Sequence, residues 1–172
     1  MLRPFLMQEV TMKNKATEKL FNIVYMDSLT ETYNRISYDE RLKKLRRDRT
    51  VLNNMTIVVI DIYDLQQIIS TYGLHTGDEA VCFVANTIKK TIGEQADIYR
   101  VSEQEFVCIA SKNILSCIAQ FMDFMSFENK DRCYKVYVAV GYEVYNNRRH
   151  KSIDDLLKSC ESKMRKEKIK GF

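Results

Sequence analysis

Apolar positions along the chain change period several times, and each change marks an element. Residues from about Phe5 to Met26 contain neither glycine nor proline, and Leu6, Val10, Leu20 and Val24 fall on a loose apolar stripe, so one N-terminal helix is expected there. A second helix is expected from near Ser37, where Ser37-Tyr-Asp-Glu40 has the form of a capping box. Thr56-Ile-Val-Val-Ile-Asp-Ile62 is a β-branched run of the buried-strand type. Asp64 to Tyr72 reads as a short helix stopped by Gly73. From Gly77 onward Val81, Val84, Ala85, Ile88 and Ile92 keep helical spacing until Gly93. Two short strands follow, near Asp97–Val101 and Glu105–Ala110, with Ser102-Glu103-Gln104 as the turn between them. Ile114 to Phe127 predicts a helix, and Tyr134 to Tyr145 alternates as a strand does. Ser152-Ile-Asp-Asp155 predicts the cap of a last helix reaching about Lys168.

After the N-terminal helix the order is β-α-α-β-β-α-β-α, with no internal repeat. Interleaved strands and helices with one hairpin predict an α/β (α+β) domain: a mixed sheet with helices packed on its faces, and a helical extension before it. The expected division is residues 1–26 as helix or linker and 27–172 as the domain.

Composition narrows the class. A chain of 172 residues with 45% hydrophobic and 29% charged residues can bury the core of one ordinary domain. One proline and five glycines leave little room for linkers. No run of about 18 apolar residues occurs, and the N-terminus turns polar at Gln8-Glu9, so neither a membrane span nor a signal peptide is expected. Cys82, Cys108, Cys117, Cys133 and Cys160 are odd in number and form no CxxC pair, which predicts reduced thiols in a cytoplasmic protein. His75 and His150 are the only histidines, so a His/Cys metal site is not expected.

The net charge of +4 is unevenly placed. Arg41 to Arg49 carries six positive residues against one negative, and Lys158 to Phe172 carries six against two. Either stretch could meet nucleic acid or a phosphorylated ligand. A solvated helix face with snorkelling side chains is the simpler reading, and no interleaved aromatics suggest single-stranded nucleic acid.

Six landmarks in order then become specific. Asp27-Ser-Leu-Thr30 with Asn34-Arg35 resembles the DxLTGLxNR opening of bacterial GGDEF domains, the diguanylate cyclase family, except that Glu31 and Thr32 stand where that pattern has Gly and Leu. Asp61-Ile-Tyr-Asp-Leu-Gln66 resembles DIDHFK, and Tyr72-Gly-Leu-His-Thr-Gly-Asp78 resembles YGHxxGD. Arg100-Val-Ser-Glu-Gln-Glu-Phe106 lies where R-x-GGDEF belongs. Val138-Ala-Val-Gly141 resembles VSIG, and Glu161-Ser-Lys-Met164 with Lys168-Ile-Lys-Gly171 resembles the closing motif. The likeness runs from about Tyr25 to Phe172, and it implies the family's palm-like mixed antiparallel sheet flanked by helices, which the element order fits.

The resemblance implies a site in which two GTP molecules on two subunits meet face to face, each 3′-hydroxyl attacking the other's α-phosphate with the help of metal ions. Carboxylates must converge from the end of the first strand and from the hairpin tip. Asp61 and Glu105 are the metal-ligating remnants, and Phe106 keeps the core anchor. The tip itself reads Ser102-Glu103-Gln104. Gln104 replaces an acidic ligand with an amide that binds Mg2+ poorly. Glu103 places an anion where a triphosphate would lie, and Ser102 gives up glycine's conformational freedom. The resemblance further implies that Asp78 and Lys168 are nucleotide-binding remnants, Asp78 toward guanine and Lys168 toward phosphate. Ile69 stands at a guanine-reading asparagine, Gln66 at a lysine, Tyr63 at an aspartate and Phe172 at a basic residue. Gly93-Glu-Gln-Ala-Asp97 lacks the arginine of the RxxD product-inhibition motif.

Plain structural roles compete for the same residues. Asp61 could cap the next helix, Asp78 could favour a helix dipole, Asp27 and Arg35 could form an ion pair, and Lys168 could decorate a basic last turn.

The expected function is therefore a non-catalytic GGDEF domain in cyclic-di-GMP signalling, acting as a regulatory, nucleotide-sensing or dimerising module. It requires no cofactor and holds at most Mg2+ with a guanine nucleotide, weakly. Its expected partner is a second copy or a sensor or phosphodiesterase domain, not nucleic acid and not a membrane. Two alternatives are a cyclase with a displaced metal site built from Asp61, Glu103 and Glu105, and a protein- or nucleic-acid-binding module that retains only the fold.

Overall fold

The computed structural model describes residues 15–129 and 134–170. Six helices and four strands follow the expected order: α1 (Lys15–Tyr25), α2 (Arg35–Arg47), a 3-10 turn at Arg49–Leu52, β1 (Thr56–Ile62), α3 (Leu65–Tyr72), α4 (Leu74–Thr91), β2 (Asp97–Arg100), β3 (Glu105–Ala110), α5 (Leu115–Glu128), β4 (Val138–Val144) and α6 (Ile153–Lys170). The first part of the expected N-terminal helix, residues 5–14, lies outside the described residues.

The sheet has strand order β2-β3-β1-β4, and all three pairings are antiparallel. A lone parallel bridge, Tyr33 to Tyr99, adds to the outer edge of β2. β1 is central and buried at every position. Because side chains alternate along a strand, it serves two cores. Val58, Ile60 and Ile62 face α3, α4 and α5, together with Phe106 and Phe121. Ile57 and Val59 face α2 and α6, with Leu42, Leu156, Cys160 and Met164. A strand buried on both faces explains why this segment is a continuous apolar run.

α6 lies against β4 at Gly141. A Cβ there would collide with the Cys160 carbonyl and the Met164 backbone, so glycine is what allows the helix this close. Cys108 and Cys160 are buried, Cys82 and Cys117 half-buried, and all four are free thiols. Burial pushes the Cys108 thiol up to about 12, and burial with the Glu143 charge does the same for Cys160. Cys133 lies outside the described residues.

Several boundaries depart from the sequence pattern. α2 is capped by Asn34, whose side chain accepts from the Ser37 amide, and the Ser37 hydroxyl instead donates to the Tyr25 carbonyl at 2.7 Å. The capping box at Ser37 is thus displaced by a partner from the preceding helix. α4 begins at Leu74 rather than Gly77, because Gly73, at φ 90, turns the chain straight from one helix into the next. The last strand starts at Val138 rather than Tyr134. Ser152 does cap α6, accepting from the Asp155 amide at 3.2 Å.

A few residues of the two basic segments are buried or paired across the fold. Arg41 is buried, Arg46 binds Asp154 of α6 at 2.7 Å, Lys163 binds the buried Glu143 at 2.7 Å, and Lys168 binds Asp61. Lys43, Arg47, Arg49, Lys158, Arg165 and Lys166 stay exposed, as a solvated face would have them. No helix among the described residues is long and apolar enough to cross a membrane.

Candidate functional site

Asp61 and Glu105 are direct partners across β1 and β3, so their side chains leave the same face of the sheet at the same end. That face is the one covered by α6. Asp61 is buried and Glu105 half-buried. Burial, and then the charges of Asp61 and Glu161, raise the Glu105 carboxyl above its ordinary range. The two acids expected at the site are therefore brought together.

The third expected group, Lys168, reaches the same place from the last turns of α6. Its Nζ lies 2.7 Å from Asp61 Oδ1 and 5.9 Å from the centre of the Tyr63 ring. Lys168 is thus an ion-pair partner, not a decoration of the helix end. Nor does Asp61 cap the next helix: the residue before α3 is Asp64, in a left-handed conformation and without a side-chain cap bond.

The hairpin tip keeps its shape without its glycines. Ile62 donates its amide to the Gln104 carbonyl at 2.8 Å, and Val101 to the Glu105 carbonyl at 2.9 Å. None of Ser102, Glu103 or Gln104 is among the residues with positive φ, so the turn does not need glycine's freedom. The expected conformational cost at Ser102 is therefore not incurred. The change of residue type remains: Ser102 and Glu103 are exposed, and Gln104, next to Glu105 in the chain, is an amide in place of an acid.

Arg100 holds this tip from behind, a role the sequence did not single out. Its Nη2 donates to the Glu103 carbonyl at 3.0 Å and its Nη1 to Asp27 Oδ1 at 3.0 Å. Asp27 therefore pairs with Arg100, whereas Arg35 pairs with Asp39 at 3.1 Å; the Asp27–Arg35 pair is not formed. The available signal was an arginine two residues before the turn, close enough to fold back on it.

On the other face of the sheet, Ile69 of α3 packs on Gly77 of α4, filling the space that a Cβ at Gly77 would need. Asp78 follows, half-buried. With α4 beginning at Leu74, Asp78 sits beyond the first turn, where a helix dipole has little left to offer it. Phe106 is fully buried. At Gly93–Asp97 the sequence has no arginine, yet Arg41 comes from α2 to act on Asp97. Burial raises the Asp97 carboxyl, and the Arg41 charge opposes that shift. Arg41 is itself buried.

Mg2+ is the metal that this arrangement implies, and the residues do not fit it well. Two carboxylates pair across the strands, and one of them is already paired with an ammonium. Among the described residues no three His, Cys, Asp or Glu come together in a way that could hold a metal ion.

Comparison with known proteins agrees with this geometry. Residues 24–172 match the family model described as diguanylate cyclase, GGDEF domain. The chain is 33% identical over 75 residues to the uncharacterized protein YtrP of Bacillus subtilis, covering 44% of this chain and 12% of that protein. It is 28% identical over 100 residues to the bifunctional diguanylate cyclase/cyclic di-GMP phosphodiesterase MucR of Pseudomonas aeruginosa, covering 55% of this chain and 14% of that one. It thus spans a small part of the length of either relative. The coiled coil and GGDEF domain of DgcB from Caulobacter crescentus, solved in complex with c-di-GMP, superposes with a TM-score of 0.77 at 19% identity over 96% of this chain and 92% of that one. With the element order, the strand-end aspartate and the hairpin of the fold in place, and nearly the whole chain matched, this protein belongs to the GGDEF-domain family of cyclic-di-GMP signalling.

Proposed function

We propose that this domain makes no cyclic-di-GMP and works in the cytoplasm as a regulatory module, through nucleotide sensing or dimerisation. The observation that carries the reading is the composition of the site where β1 meets the hairpin. Two carboxylates, Asp61 and Glu105, face each other, and the tip beside them offers Gln104 and an exposed Glu103. A triphosphate brought to this tip meets an anion and gains no third ligand for its metal. The alternative with a displaced metal site needs Glu103 to join Asp61 and Glu105. The exposure of Glu103, and the anchoring of its backbone by Arg100, weigh against that.

The domain is read as residues 27–172, with 1–26 as a helical extension. Its short span within YtrP and MucR supports a place beside sensor or phosphodiesterase domains in a longer protein. Purified protein given GTP and Mg2+ is expected to form no cyclic-di-GMP above an Asp61→Ala control; product above that control overturns the reading. A rise in melting temperature with GTP would favour nucleotide sensing, and none would favour a dimerising role.

A further inference from the structure

β4 ends the sheet, with β1 on one side only. Odd-numbered backbone groups along it turn toward the sheet: the Tyr145 amide donates to the Met55 carbonyl at 2.7 Å, and the Tyr137 carbonyl accepts the Tyr63 amide at 2.8 Å. Backbone groups alternate sides along a paired strand, so those of Val138, Val140, Tyr142 and Val144 point out of the sheet. Two of these outward groups are taken up by α6. The Glu167 carboxylate accepts the Val140 amide. The Lys163 ammonium donates to the Tyr142 carbonyl at 3.1 Å. Lys163 also binds Glu143 at 2.7 Å and stands 5.8 Å from the centre of the Tyr142 ring, and these two neighbours leave opposite faces of the strand. The lysine thus wraps around the edge.

These contacts fall where an added strand needs the backbone. In an antiparallel pair, facing residues exchange both an N–H and a C=O. The Val140 N–H and the Tyr142 C=O are already engaged, so two consecutive outward residues each offer half of that exchange. The strand is otherwise suited to pairing. Val138-Ala-Val-Gly-Tyr-Glu-Val144 carries one charge, that of Glu143, which is bound by Lys163. Val138, Val140, Tyr142 and Val144 share an uncharged face, and Tyr142 is 40% exposed. An edge of this composition templates the addition of another strand unless charged side chains blunt it.

We infer that the β4 edge is a pairing surface for a second copy of this chain, held shut by Lys163 and Glu167. The occupant follows from the strand itself. Turned about a two-fold axis, β4 meets its own sequence antiparallel, with Val140, Tyr142 and Val144 against their counterparts and no like charges on that face. Release of the two side chains joins two copies in one continuous sheet. The surface is separate from the exposed face of α1, and the inference does not depend on whether the domain turns over GTP.

The test uses the full chain carrying Leu20→Glu and Ile23→Glu, so that α1 contributes no association. This starting protein is expected to be a monomer by light scattering. Glu167→Ala, alone or with Lys163→Met, is expected to form a dimer as concentration rises, more readily in the double variant. Glu167→Gln keeps an oxygen for the Val140 amide and is expected to stay a monomer. Tyr142→Pro added to Glu167→Ala removes only an outward N–H and should restore the monomer. Amide exchange at Val140, followed by NMR, separates opening of the edge from unfolding. It is expected to be slow in the starting protein, about tenfold or more faster in Glu167→Ala at low concentration, and slow again once copies associate. Opened variants that stay monomeric at high concentration with native circular dichroism overturn the inference. So does a Val140 amide that exchanges as fast in the starting protein as in Glu167→Ala, and so does association that Tyr142→Pro leaves untouched.

Discussion

Arg100 donates to Asp27 Oδ1 at 3.0 Å through one nitrogen of its guanidinium and to the Glu103 carbonyl at 3.0 Å through another. One half-hidden side chain thus ties the loop after α1 to the hairpin tip. Asp27 is held in turn by the Thr30 hydroxyl at 2.7 Å and the Thr30 amide at 2.9 Å. Burial alone would raise the Asp27 carboxyl, but the Thr30 bonds and Arg100 together hold it below its ordinary range. A carboxyl depressed by folding contributes stability that is fully present above its unfolded value and is lost as pH falls through the folded one. Asp27→Asn is therefore expected to cost about 2 kcal/mol at neutral pH. The deficit should shrink in acid. Urea midpoints at neutral and acidic pH check it, and a deficit that does not change with pH would point to packing instead.

Glu31 stands where the family pattern has glycine, and it adopts φ 54. A left-handed residue with a Cβ costs about 1–2 kcal/mol, part of which glycine returns through its freer unfolded chain. The ion pair of Glu31 with Lys89, at 3.9 Å and largely exposed, offsets little. Glu31→Gly should stabilise the domain by about 0.5 kcal/mol. Glu103→Gly, where no positive φ is needed, should give no such gain. Paired denaturation curves decide this, and equal effects at the two positions would count against it.

The obstacles to a nucleotide lie on opposite faces of the sheet and should separate. Changing Ser102 and Glu103 to Gly and Gln104 to Asp removes the exposed anion and restores an acid. Affinity for GTP and ATP in Mg2+ should then rise alike, by about tenfold. Preference for guanine is expected only when Ile69→Asn is added, because Ile69 now covers Gly77 with apolar surface. If the triple variant binds no better than wild type, Glu103 is not the obstacle.

α1 divides its apolar residues between two tasks. Phe21 is 6% exposed and joins the core, whereas Leu20 and Ile23 are 62% and 69% exposed. The exposed pair is expected to belong to a parallel dimer through the N-terminal helix. Deleting the helix would also remove Phe21 from the core, so the cleaner test is Leu20→Glu with Ile23→Glu. Light scattering should then show a loss of the dimer at unchanged secondary structure, and a wild-type monomer at high concentration would refute the dimer.

Hydrophobic periodicity determined the elements. β1 and β3 end where their β-branched and apolar runs end, α3 stops at Gly73, and the order of strands and helices follows from the pattern alone. It also placed Asp61 at a strand end and Glu105 just past a turn, because in this fold those positions are local. One boundary it missed was set by another element: the Tyr25 carbonyl takes the Ser37 hydroxyl, which leaves Asn34 to cap α2.

Partnership was decided by tertiary structure. Asp27 is 73 residues from Arg100, and Asp61 is 107 from Lys168. A run of residues encodes which face an element buries, since period and polarity are properties of neighbours in the chain. It does not encode which distant charge will stand opposite. That depends on how closely α6 settles on β4, a distance governed by the missing Cβ at Gly141 and the carboxylate of Glu167, and it is this approach that puts an ammonium on Asp61.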